Sequence, residues 1–100
     1  MEQIERISKM EERLNKVNEA IHELSTALEK YQSVRNDIQI LNEYLGSKEW
    51  RSDLQADEDG LLLQNLNRGV LSEDGIWNTI EANRELLEKM NKFVNRQQKP

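Results

Sequence analysis

Five carboxylates in one short stretch could do chemistry: Asp53, Asp57, Asp59, Glu73 and Asp74. Such groups serve as paired acids and bases or as ligands for a divalent cation. Acid–base work needs two carboxylates held across a substrate, and no spacing here fixes such a pair. The run Asp57-Glu58-Asp59-Gly60 invites comparison with a calcium loop. Placing Gly60 at the sixth loop position puts Asp57 and Asp59 at the third and fifth. The first position is then Gln55 and the twelfth is Leu66, where Asp and Glu are required. The loop fails at both ends and reads as a solvated acidic turn. His22 is the only histidine, and there is no cysteine. The lack of cysteine removes disulfides and thiolate metal sites, and His22, at the edge of a helical seam in a chain with no nucleophile elbow, reads as a surface residue. No catalytic residue, cofactor or metal is assigned.

Two other residue types in this stretch have both a structural and a binding use. Arg51 and Arg68 could hold an anion, but Arg68 is also placed to pair with Asp53, Asp57 or Asp74 and so fix the segment. Trp50 and Trp77 read as packing aromatics that clamp the segment onto neighbouring helices, rather than as binding platforms.

The elements that must position these groups are helical. The chain has 100 residues, 36% apolar and 33% charged, with one Pro and four Gly. That mix favours long helices with solvated faces. From Ile4 through Ile7, Met10, Leu14, Val17, Ile21, Leu24, Leu28, Tyr31, Val34, Ile38 and Leu41 to Leu45, apolar residues recur mainly at alternating spacings of three and four. This is the seam of a helix that packs on other helices. Gly46 supplies its stop. An irregularity interrupts the seam at midlength: Leu28, Tyr31 and Val34 are spaced three and three, and the weak helix formers Ser33, Asn36 and Asp37 lie beside it. A second helix is expected over 73–96, with Ser72 as its N-cap and Glu73 and Asp74 against the positive end of its dipole.

The connector, 47–71, is too long for a plain bundle loop and too apolar for a solvated linker. It holds Trp50, Leu54, Leu61, Leu62, Leu63, Leu66, Val70 and Leu71. A short helix over 49–54 capped by Ser47 is expected, with turns at Asp59-Gly60 and Arg68-Gly69. The charge is uneven. The formal net is −5, and residues 47–75 alone carry three basic and seven acidic groups. This argues against a nucleic-acid binder, which needs clustered Lys and Arg. The longest apolar run is Leu61-Leu62-Leu63, far short of a membrane span. No basic-then-apolar leader opens the chain, and a cytoplasmic protein is the expectation.

The fold expected is therefore all-α and a single domain over 1–100. A long helix over 3–45 runs antiparallel to the helix over 73–96, joined by a packed acidic connector with short helical turns. The alternative is a three-helix bundle with a break near 31–37. At about 1.5 Å per residue the first helix is much the longer, so its N-terminal stripe lacks a partner within such a pair. Either the chain breaks and folds back, or the stripe meets a second copy or another protein.

Several short combinations resemble one bacterial family, called domain of unknown function 4298. They are Glu5-Arg6-Ile7 with Met10-Glu11, Tyr44 with Ser47 and Glu49-Trp50, Asp57-Glu58 with Gly60, and above all Arg68-Gly69-Val70-Leu71-Ser72-Glu73-Asp74-Gly75-Ile76-Trp77. The resemblance covers roughly 3–93. Members commonly carry proline near the position of Leu62-Leu63. It implies a small stand-alone bacterial protein and brings no reaction, cofactor or partner with it.

The leading reading is a non-enzymatic protein–protein interaction module, with a homodimer among its forms. Its binding surface is the stripe Ile7, Met10, Leu14 and Val17, the acidic group Asp57, Glu58 and Asp59, or both. Trp50, Arg68, Gly69, Ser72, Glu73, Asp74 and Trp77 are assigned a structural role. The alternatives are an acidic decoy, or antitoxin-like inhibitor, of a nucleic-acid-binding protein, and a small divalent-metal-dependent enzyme.

Overall fold

The computed structural model describes residues 1–72 and 74–98, the side chain of Gln98 excepted. Among them are four α-helices, a short 3-10 turn and no strand: α1 (Glu2–Ser33), α2 (Arg35–Tyr44), α3 (Lys48–Glu58), the turn Gly69–Leu71, and α4 (Gly75–Gln98). The chain is all-α. It divides into two compact units, Met1–Asn36 and Asp37–Pro100.

The expectation of one helix over 3–45 is corrected: α1 ends at Ser33 and α2 begins at Arg35. The break falls within the alternative window of 31–37, and its cause is local. In a continuous helix the Lys30 carbonyl would accept the Val34 N–H. Instead the Ser33 hydroxyl donates to that carbonyl at 2.6 Å, and the Val34 N–H donates to the Tyr31 carbonyl at 3.1 Å. Val34 leaves helical geometry, with φ −104° and ψ 3°. A serine bonding back onto the helix and a three-residue hydrogen bond are ordinary ways to end one.

In the second unit, glycines in the left-handed region end two helices. Gly46 (φ 78°) follows α2, as the sequence predicts, and Gly60 (φ 71°) follows α3. Beyond α3 the Leu61 N–H reaches the Ala56 carbonyl at 3.0 Å, and the Gly60 N–H reaches that of Asp57 at 3.1 Å. This paired closure needs the positive φ that glycine adopts freely. Ser47 caps α3: its hydroxyl accepts the Trp50 N–H at 3.1 Å. The cap is where the sequence places it, but the helix runs to Glu58 rather than 54.

The core of this unit is small. Leu71 and Ile76 are its buried apolar residues. Fully burying such a side chain is worth about 1.5–3 kcal/mol. The 3-10 turn that carries Leu71 packs against both α3 and α4. The connector is therefore less fully packed than expected. Of its eight large apolar groups, Leu71 is buried and Trp50, Leu54 and Leu62 are half-buried, while Leu61, Leu63, Leu66 and Val70 stay exposed.

The start of α4 is also corrected. Ser72 is not its N-cap. The helix begins at Gly75, and the Asp74 carbonyl accepts its first helical bond, from Asn78 N–H at 2.8 Å. The proposed charge of Glu73 at the helix end lies outside the described residues. Ser72 instead joins two elements. Its hydroxyl donates to the Gly69 carbonyl at 2.8 Å and accepts the Gly75 N–H at 3.1 Å. This clasp brings Gly75 hard against the 3-10 turn. A Cβ there would lie 2.6 Å from Ser72 Oγ and closer still to the Gly69 carbonyl oxygen. Alanine is intrinsically better than glycine in a helix by about 1 kcal/mol. At Gly75 the clash outweighs that preference. Gly75→Ala is expected to destabilise the fold by about 1–3 kcal/mol in urea denaturation. Gly69→Ala, whose Cβ would meet open space, is expected to change it by less than about 0.5 kcal/mol.

Candidate functional site

The first unit is a helix, and a helix cannot bury its own stripe. Ile7, Met10, Leu14 and Val17 share one face of α1 and are each 53–55% exposed. Ile21, Leu24 and Leu28 continue the same face and are also exposed. From Ile7 to Tyr31 the spacings alternate three and four without a fault, which is a heptad repeat. The repeat ends where α1 ends, its last apolar residue, Tyr31, lying in the final turn of the helix.

The acidic connector is rearranged relative to the sequence reading. Asp57 and Glu58 are not in a loop but in the last turn of α3, with Asp59 at its end. Three of the carboxylates are engaged within the chain. The Tyr44 hydroxyl donates to Asp53 Oδ2 at 2.6 Å. Gln55 Nε2 donates to Asp59 Oδ1 at 3.0 Å. Asp57 Oδ1 lies 2.7 Å from Arg68 Nε. Glu58 is exposed. Among the described residues no group of three or more His, Asp or Glu is placed to hold a metal ion.

Arg68 is the hub of the connector. Of the three acidic partners the sequence offers it, the fold selects Asp57. Its Nε is shielded from solvent, and the contact with Asp57 is one of charge: the N–H is not aligned for a hydrogen bond. The guanidinium also donates from Nη2 to the Leu63 carbonyl at 2.6 Å, with a long contact of 3.5 Å from Nη1 to that of Gln64. One side chain thus ties the end of α3 to the loop that follows it. Trp50 makes the second tie. Its indole N–H donates to the Val70 carbonyl at 2.9 Å, which fixes α3 to the 3-10 turn.

Trp77 does not join this clamp as a core aromatic; it is 57% exposed. Ile76 takes the inward position at the start of α4, and the next residue is turned about 100° around the helix axis. Trp50, Arg68, Gly69 and Ser72 do come together around the 3-10 turn. Sequence reasoning missed the Tyr44–Asp53 bond and the close approach at Gly75. The first joins residues on two different helices, and the second is signalled only by a glycine in a segment that otherwise reads as a helix start.

The Asp53 carboxylate holds the Tyr44 proton in place. It pushes the phenol up from its ordinary 10.0 to about 12, mainly through their hydrogen bond, then through desolvation and charge repulsion. A raised value means that the neutral phenol is the form favoured by folding. The stabilisation is fully present below pH 10 and is lost as pH rises toward 12.

No helix among the described residues is long and apolar enough to cross a membrane. The chain matches the family described as Domain of unknown function (DUF4298) over residues 7–93. Neither a curated protein nor a solved structure matches it.

Two measurements check this wiring. In an ultraviolet absorbance titration one tyrosine should ionise near pH 12, and Tyr44→Phe should remove that late step. An unchanged titration would contradict the bond. Arg68→Lys keeps the charge but cannot reach both Asp57 and the Leu63 carbonyl. It is expected to lower stability by about 1–2 kcal/mol in urea denaturation.

Proposed function

This chain belongs to the family described as Domain of unknown function (DUF4298), and from that premise we propose that it is a non-enzymatic protein–protein interaction module whose binding element is α1. The observation that carries this reading is the stripe from Ile7 to Leu28. It is regular, it occupies one face of an unbroken helix, and it is exposed along its length. Contiguous exposed apolar surface beyond a few hundred Å² marks interaction sites in soluble proteins. The second unit supports the reading differently. Its polar contacts are spent on holding three short elements together, and three of its carboxylates, Asp53, Asp57 and Asp59, are engaged within the chain.

The acidic surface is a lesser part of this reading. With Asp53, Asp57 and Asp59 occupied by Tyr44, Arg68 and Gln55, fewer free carboxylates remain to imitate a nucleic acid. We place the protein in the bacterial cytosol, in keeping with its cysteine-free sequence.

Affinity capture from the native host tests the reading. Leu14→Asp puts a charge into the middle of the stripe and should abolish specific capture. Glu58→Lys, on the exposed acidic surface, should leave it intact. Capture should persist as salt rises, because buried apolar contacts are not screened. A captured set unaffected by Leu14→Asp would contradict the proposal.

A further inference from the structure

We infer that the stripe of α1 is covered by a second copy of this chain, in a parallel, in-register two-stranded coiled coil. The inference rests on the interaction-module reading and names its partner. In the heptad repeat that α1 carries, Ile7, Leu14, Ile21 and Leu28 take the first apolar position, a. Met10, Val17 and Leu24 take the second, d. Ile21 at a followed by Leu24 at d is the order that favours two strands, whereas Leu14 and Val17 carry the reverse order, and light scattering decides the strand number.

Charge fixes the direction. The residues flanking the stripe on one side, at g, are Arg6, Arg13, Ala20 and Ala27. Those on the other side, at e, are Glu11, Asn18, Ser25 and Gln32. All charge at g is basic, and the one charge at e is acidic. A parallel pair sets g of one chain against e of its partner, so Arg6 meets Glu11 twice across the dimer, once in each sense. An antiparallel pair sets g against g and e against e. There the acid and the bases never meet, and in a pair centred on the stripe Arg6 and Arg13 lie nearest alanines and gain no partner. Alanine and serine beside the later turns leave no bulk to hold two backbones apart.

The size is also right. Each large apolar side chain of the stripe has on the order of 100 Å² left to bury, and seven from each of two chains give roughly 1,400 Å². That is within the range of stable interfaces, about 1,200–2,000 Å². The repeat stops at the Val34 break, so the coil has a defined end.

The absence of cysteine makes the test direct. In a parallel in-register coil the two copies of residue 14 face each other, close enough for a disulfide, whose Cα atoms lie about 4.4–6.8 Å apart. In an antiparallel pair centred on the stripe they are about 10 Å apart along the axis. Full-length Leu14→Cys should therefore become almost entirely covalent dimer on mild oxidation. Lys16→Cys, on the outer face, should not. Light scattering of the unmodified chain should give twice the monomer mass. Arg6→Glu should weaken dimerisation about threefold to tenfold, and adding Glu11→Arg should restore it. A dimer that fails to cross-link at Leu14→Cys would overturn the parallel register. A monomer at high concentration would overturn the second copy as occupant. If that monomer still showed capture sensitive to Leu14→Asp, the module reading would stand with a different protein on the stripe. If capture were also insensitive, both would fall.

Discussion

A lone helix has no interior, and α1 carries an apolar stripe along its whole length that it cannot cover by itself. Helices in proteins draw most of their stability from packing an amphipathic face, not from propensity alone. The N-terminal unit therefore depends on something outside itself. The second unit does not share this dependence. It closes its own small core around Leu71 and Ile76. The two units answer the same problem, limited apolar content in a highly charged chain, in different ways.

In the second unit, directional polar contacts supplement apolar mass. Trp50, Arg68 and Ser72 each spend a side-chain donor on a backbone carbonyl, at Val70, Leu63 and Gly69 respectively. Those carbonyls lie in the loop and 3-10 turn, where no regular ladder would satisfy them. The most distinctive stretch of the sequence, Arg68 to Trp77, is thus a folding device in its described residues. It sets the angle at which α4 leaves the turn, and Gly75 permits the closest approach.

The helices were legible in the sequence wherever a periodic stripe or a cap announced them. The α1 seam, the Gly46 stop and the Ser47 cap all lie where residue type alone puts them. The break at Val34 was legible as an irregular spacing, but the bond that makes it, from the Ser33 hydroxyl to the Lys30 carbonyl, is a choice between two partners for one carbonyl that spacing does not decide. The start of α4 was misplaced because Ser72 is a good cap for either of two elements. It closes the 3-10 turn, and the helix waits for Gly75. Trp77 was misjudged because an aromatic beside an apolar stripe looks inward until the exact rotation of the helix is known. For the candidate site, the exposed stripe was readable in full. The acidic group was not, since the engagement of Asp57 by Arg68 and of Asp59 by Gln55 depends on tertiary or local geometry.

Hydrogen–deuterium exchange of the full chain at high and at low protein concentration tests the central claim most directly. If α1 owes its stability to association, protection from Ile7 to Leu28 should fall on dilution. Protection of the Leu71 and Trp50 amides, whose N–H groups are held within the second unit by Arg68 and Ser47, should stay the same. Protection of α1 that is strong and independent of concentration would contradict the account.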